Sequence, residues 1–93
     1  SAESRQRLAG WMGQTRTGLN LLRAGVPADW RAADKTGRGG HGSVNDIAVF
    51  WPPGGRPVIV TCFVTATEAP VALKEQTHAE VGRLVAAAYR AQR

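Results

Sequence analysis

The sequence predicts an α+β fold: three antiparallel strands flanked by helices. Three observations carry that expectation. Val44–Trp51 and Val58–Val64 are runs rich in β-branched and aromatic residues, each bounded by glycine or proline. From about Pro70 to Ala91 the period turns helical, with Val81, Leu84, Val85 and Ala88 at i, i+3, i+4 and i+7. The connections between strands are too short for crossover helices, so neighbouring strands must run antiparallel.

The elements follow in order. Ser4 to Met12 reads as a short helix, because Leu8, Trp11 and Met12 share one helical face and Gly13 is a plausible stop. Thr15 to Gly25 is mixed, with Leu19, Leu21 and Leu22 expected to face inward and room for a further helical turn or two. Val26-Pro27-Ala28-Asp29 is a turn. Trp30 to Thr36 reads as a strand, and Gly37 to Gly42, with four glycines in six residues, as the hairpin connection after it. In Val44–Trp51, Ile47, Val49 and Trp51 fall on one face and Ala48 and Phe50 on the other, which predicts a sheet covered on both sides. Pro52 to Pro57 is a turn. Val58–Val64 reads as a fully buried strand, and Pro70 suits a first helical position, where its missing N–H costs nothing.

At 93 residues the chain makes at most one small domain, and one this short buries only roughly 60–65% of its unfolded surface. The hydrophobic fraction of 43% is ordinary for a globular chain and too high for a disordered one. No apolar run approaches the ~20 residues of a membrane span. The single cysteine, Cys62, lies in an apolar run and reads as a small core residue. A formal charge of +5 raises the question of nucleic acid, but the basic residues form no block, and the few aromatics sit in apolar runs rather than on a stacking platform. A basic module acting through Arg38, Arg31 and Arg56 is the alternative from a different functional class; the main expectation is no nucleic-acid and no membrane partner.

The chemistry concentrates at Asp34-Lys35-Thr36-Gly37. A lysine, a hydroxyl and a bare glycine backbone at one strand end can bind an anion and offer main-chain hydrogen bonds to a ligand lying against the strand. Gly37-Arg38-Gly39-Gly40-His41-Gly42 fits G-x-G-x-x-G, but a strand follows it where a dinucleotide site needs a helix. Asp34 and Asp46 read as structural, His41 and His78 are too far apart for a zinc site, and Trp11, Trp30 and Trp51 read as packing residues. Neither a metal nor another cofactor is implied.

Lys-Thr-Gly is a signature element of serine β-lactamases and penicillin-binding proteins. Around it stand Trp11-Met12, Thr17-Gly18, Leu22-Arg23-Ala24-Gly25-Val26-Pro27, Trp30, Gly42 and Asn45-Asp46-Ile47-Ala48-Val49, in that order. The chain thereby closely resembles the C-terminal third of a class A β-lactamase, most densely from Trp11 to Pro52. The resemblance implies the C-terminal part of a β-lactamase/penicillin-binding-protein-like fold, with residues 1–93 one segment of a single catalytic domain. It implies a β-lactam substrate, a serine acyl-enzyme and a periplasmic or secreted site of action. The other signature elements, Ser-x-x-Lys and Ser-Asp-Asn, do not occur here, so the nucleophile is expected on an N-terminal segment, as a separate chain or as sequence before Ser1. This chain alone is expected to be inactive.

Residue by residue, the resemblance implies that Lys35 binds the substrate carboxylate and sets the electrostatics around the serine, and that Thr36 hydrogen-bonds the same carboxylate beside Gly37. The backbone N–H of Arg38 matches one half of the oxyanion hole. Its side chain departs from the small or hydroxyl residue usual there. Many relatives carry a carboxylate-holding arginine where this chain has Val44, so Arg38 or Lys74 is expected to substitute. Thr17 matches a position near the pocket floor. A penicillin-binding transpeptidase or carboxypeptidase shares the triplet and is the nearest chemical alternative; the Trp-Met, Arg-Ala-Gly and Asn-Asp-Ile-Ala contexts favour the β-lactamase.

Overall fold

The computed structural model describes residues 1–92, so Arg93 lies outside the described residues. Helix α1 spans Ala2–Gly13, strands β1, β2 and β3 span Arg31–Arg38, Val44–Trp51 and Val58–Val64, and helix α2 spans Val71–Ala91. A short 3-10 helix, Leu22–Gly25, precedes β1. The strands form one antiparallel sheet in the order β1-β2-β3. Arg31 pairs with Trp51 and Arg38 with Val44, while Val44 pairs with Val64 and Phe50 with Val58.

β1 runs further than the sequence pattern predicts. Gly37 and Arg38 belong to the strand, paired with Asn45 and Val44, rather than to the connection. Glycine lowers local strand propensity, but the ladder to β2 overrides it. The turn itself is tight: Gly39 N donates to Ser43 O at 3.3 Å, and His41 and Gly42 take the left-handed conformation at φ 60° and 70°.

One face of the sheet is covered along its length and the other only at β1, where α1 lies against the strand and Ala33 is buried. Ala48, Phe50 and Val60 on the first face join Leu22, Trp30 and Ala86 in the core, with Val81, Val85 and Tyr89 of α2 packed against it. Trp30 is the hinge of this cluster, its ring 5.3 Å from Tyr89 edge-on and 6.5 Å from Phe50. Cys62 packs half-buried at the margin. The opposite face carries Ile47, Ile59 and Phe63, which are exposed, so Val58–Val64 is a half-buried strand rather than the fully buried one expected.

The buried stripe of α2 also differs from the apolar periodicity. Lys74, His78, Gly82 and Ala86 are its buried residues, while Leu84 and Ala88 face outward. Backbone approach explains the shift. A Cβ on Gly82 would lie 2.1 Å from the Leu22 carbonyl oxygen, and one on Gly25 would lie 1.8 Å from that of Ala79. The helix is laid onto the 3-10 segment along a glycine seam that a hydrophobic pattern cannot register.

α1 is capped at its start by the Ser1 hydroxyl, which accepts from Ser4 N at 3.1 Å, and buries none of its residues. Leu8 and Trp11 are exposed, as is Leu19, whereas Leu21 and Leu22 are fully buried. Of the three tryptophans, then, Trp30 packs in the core, Trp51 stacks under the Arg31 guanidinium at 4.4 Å, and Trp11 stands on an open helix face. Among the described residues, no helix is long and apolar enough to cross a membrane.

Candidate active site

β1 is an edge strand, and alternation along the ladder decides what it offers. Gly39 N points at β2, where Ser43 O accepts it. In an antiparallel pair successive residues turn their backbone groups to opposite sides. Lys35 and Gly37 therefore bond across to Ile47 and Asn45, and the N–H and C=O of Thr36 and the N–H of Arg38 face the open edge.

Side chains alternate through the sheet in the other direction. Thr36 and Arg38 project on the α2 side, and Lys35 on the opposite side. The Lys35 ammonium nevertheless reaches the open edge, because Nζ donates to Thr36 O at 2.7 Å. Thr36 Oγ1 donates to Thr17 Oγ1 at 3.0 Å, which ties the segment before the 3-10 helix to the same rim. Gly37 presents no side chain, and nothing lies within 4 Å of where its Cβ would be. Lys35, Thr36, Gly37, the Arg38 N–H and Thr17 thus come together along one edge.

Arg38 and Lys74 part company. The Arg38 guanidinium, 43% exposed, pairs through Nη2 with Glu75 Oε2 at 3.1 Å. Lys74 is buried, and its Nζ donates to Gly42 O at 2.9 Å in the turn. Lys74 therefore braces the hairpin from α2 rather than standing on the rim. One helical turn on, His78 is fully buried and its Nε2 donates to Val44 O at 2.7 Å, which fixes the proton on that nitrogen. Lys74, Glu75 and His78 thus hold the β1–β2 hairpin at three points. Sequence reading missed Glu75 and gave His78 no role; their i, i+3 spacing on a helix that crosses a glycine-rich hairpin was the available signal.

Under the rim lies a buried acidic pair. Asp34 and Asp46 are both fully buried on the α2 side of β1 and β2. Arg23 Nη2 donates to Asp34 Oδ1 at 3.0 Å, and Leu22 N donates to Asp46 Oδ2 at 3.2 Å. Burial pushes the Asp46 carboxyl up to about 8, assisted by its hydrogen bond to Asp34 and by that neighbour's charge, against the pull of the Leu22 N–H and Arg23. Two carboxyls buried beside a single guanidinium favour keeping Asp46 protonated. Gly18 makes room for the pair, since a Cβ there would fall 1.7 Å from Asp34 Oδ2. The same setting, burial first and the Asp46 charge second, raises the Cys62 thiol. No three histidine, cysteine, aspartate or glutamate side chains gather into a metal site among the described residues.

An edge strand with outward N–H groups, a cation and paired hydroxyls can hold an anionic ligand laid along it. Known proteins narrow the class. The family described as "Beta-lactamase enzyme family" matches residues 1–90. β-Lactamase AER-1 of Aeromonas hydrophila is 44% identical over 82 residues, which is 88% of this chain and 27% of that protein. β-Lactamase 1 of Bacillus cereus is 52% identical over 59 residues, or 63% of this chain and 19% of its own length. Among solved structures, an ancestral (GNCA) class A β-lactamase superposes with a TM-score of 0.91 at 52% identity, covering 95% of this chain and 34% of that one. The last common ancestor of Gram-negative bacteria (GNCA4) class A enzyme gives 0.92 at 48%, covering 96% and 34%. The chain belongs to the β-lactamase enzyme family, in its class A branch. It spans about a quarter of the length of the AER-1 relative and about a third of the solved structures.

Proposed function

We propose that residues 1–93 are one segment of a single catalytic domain that hydrolyses β-lactams through a serine acyl-enzyme, and that this segment supplies the substrate-binding edge. The observation that carries the reading is the open edge of β1, where the Lys35 ammonium, the Thr36 hydroxyl and the outward N–H of Arg38 converge. A serine hydroxyl from the remainder of the domain attacks the lactam carbonyl carbon. The ring C–N bond breaks, the nitrogen takes a proton, and an ester links substrate to enzyme. Water then adds to the ester, releases the ring-opened acid and restores the hydroxyl.

Each residue of this chain has a part in that sequence. The Arg38 N–H donates to the oxyanion of the tetrahedral intermediates, and a preorganised donor of this kind is worth roughly 3–4 kcal/mol of barrier. Lys35 attracts the acid group of the substrate and favours ionisation of acidic groups beside it. Thr36, oriented by Thr17, hydrogen-bonds the same acid group. Gly37 lets the substrate lie flat against the strand. Lys74 keeps the turn in place through Gly42. The partner of this chain is the N-terminal segment of its own domain, and the site of action is periplasmic or secreted.

The test is turnover of a chromogenic cephalosporin by the full-length protein, read with its intact mass, against the 93-residue chain alone. Hydrolysis by the former and none by the latter is the expected result. Absence of hydrolysis by a folded full-length protein would overturn the reading.

A further inference from the structure

We propose that Glu75 is a positioning residue, which holds the Arg38 guanidinium beside Thr36 as the cation that receives the acid group of the substrate. The inference rests on the β-lactam reading and deepens it, since it concerns how this site selects acidic substrates.

The cations near the rim are few, and they stand on different sides of β1. The Lys74 ammonium is buried against the Gly42 carbonyl and faces the inside of the turn. Lys35 is drawn onto its neighbour's carbonyl at the edge. Val44, across the ladder from Arg38, is apolar and buried. Arg38 is the cation left over on the α2 side, the side on which Thr36 projects two residues earlier along the same strand.

An arginine at the last position of a strand would ordinarily sweep through solvent. Here the Glu75 carboxylate holds it from a rigid element, 3.1 Å away in the second turn of α2. The flanking contacts fix that helix against the hairpin, since Lys74 and His78 bond to Gly42 and Val44 on either side of it. The guanidinium is a planar fork with several N–H donors. Glu75 engages it through Nη2, and 43% of the side chain remains exposed. A second carboxylate can therefore bind the free edge of the fork in plane, the geometry that arginine favours. Holding the fork in advance removes the rotamer loss that a free arginine would suffer on binding.

Glu75 has an opposing effect, because its charge repels an incoming acid. The two carboxylates sit on different edges of one cation, which lies between them and is itself 43% exposed, so its charge and the water around it offset most of the repulsion. Positioning therefore outweighs repulsion, and the sign of the effect is the test.

The experiment uses the full-length protein and its Glu75→Gln variant, with a five-membered γ-lactam acid and its methyl ester as probes. An unstrained lactam is not opened, so binding is read by calorimetry apart from turnover. We expect the parent to prefer the acid, and Glu75→Gln to weaken the acid roughly 3–10-fold while leaving the ester within about 2-fold. Arg38→Ala is expected to weaken the acid at least as much, Lys35 and Thr36 keeping the remainder of the preference, and Glu75→Gln added to it to change nothing further. Tighter acid binding in Glu75→Gln would show that Glu75 competes with the substrate, and would overturn the proposal. Equal changes for acid and ester would reduce Glu75 to a structural contact and overturn it as well. Cephalosporin hydrolysis by the same preparation is scored separately: no turnover with an intact acid preference would sink the hydrolase reading and leave the anion clamp standing.

Discussion

Asp46→Asn isolates the buried acidic pair, and its effect depends on pH. Both carboxyls are wholly shielded from solvent, and Asp46 is pushed up from 3.8 to about 8. At neutral pH the folded protein therefore keeps a proton that the unfolded chain releases. Between those two values the unfolded state binds fewer protons, so stability falls as pH rises, by up to about 1.4 kcal/mol per pH unit for a single group. The loss is complete once pH passes the folded value, near 8. Asparagine has the shape of the protonated acid, can accept from Leu22 N and can donate to Asp34. The variant should match the parent near pH 4 and gain on it steadily as pH rises to about 8, with a clear advantage already at pH 7, since a neutral isostere removes the proton linkage without opening a cavity. Urea unfolding of the full-length protein at pH 5.5, 7 and 9, parent against variant, measures the difference. Curves that stay parallel across that range would refute the retained proton. A deficit larger than about 3 kcal/mol at pH 7 would show that Asp46 is ionised and bound as a charge.

Gly82→Ala should lower stability by about 1–3 kcal/mol, because the added methyl meets the Leu22 carbonyl at 2.1 Å and must push α2 off the 3-10 helix; thermal melting of the full-length variant checks it. Thr36→Val keeps the side-chain shape but removes the hydroxyl that bonds Thr17, so KM for an acidic β-lactam should rise about 3–10-fold while the melting temperature stays within a few degrees. The 93-residue chain alone should fold poorly, since Ile59 and Phe63 are 75% and 67% exposed along an edge strand. A sharp, reversible melt of a monomeric sample would contradict that expectation.

Strands were the most legible part of the fold, for a physical reason. Val44–Trp51 and Val58–Val64 owe their conformation to side chains that suit a pleated surface, and those side chains are visible in the sequence. Where backbone contacts decide, the pattern misleads. Gly37 sits in β1 because Asn45 pairs with it. The α2 face turns on Gly82 and on two polar residues, Lys74 and His78, which bond to the hairpin instead of packing. Leu84 looked inward by spacing and is exposed. Lys35, Thr36 and Gly37 could be singled out as candidates because their chemistry is carried by residue type, and the structure brings them to one edge. Glu75 could not, because its meaning comes from a neighbour 37 positions away.

The edge of β1 has to satisfy two demands that conflict in an ordinary strand. On the proposed reading it must leave the Thr36 and Arg38 N–H groups free for a ligand, yet a strand free along one side is easily displaced. The covered side of the sheet resolves the conflict. Arg23 anchors Asp34 on β1 and Leu22 N anchors Asp46 on β2, so the segment before β1 ties the two strands together beneath the rim. At the far end, Lys74 and His78 fasten the turn to α2. The strand is therefore fixed from below and from its end, and its outer edge carries no structural duty. A polar foundation suits this purpose better than an apolar one, because hydrogen bonds set a register where packed methyl groups allow sliding. That fixed register puts the Arg38 N–H and the Lys35 ammonium on the same open edge.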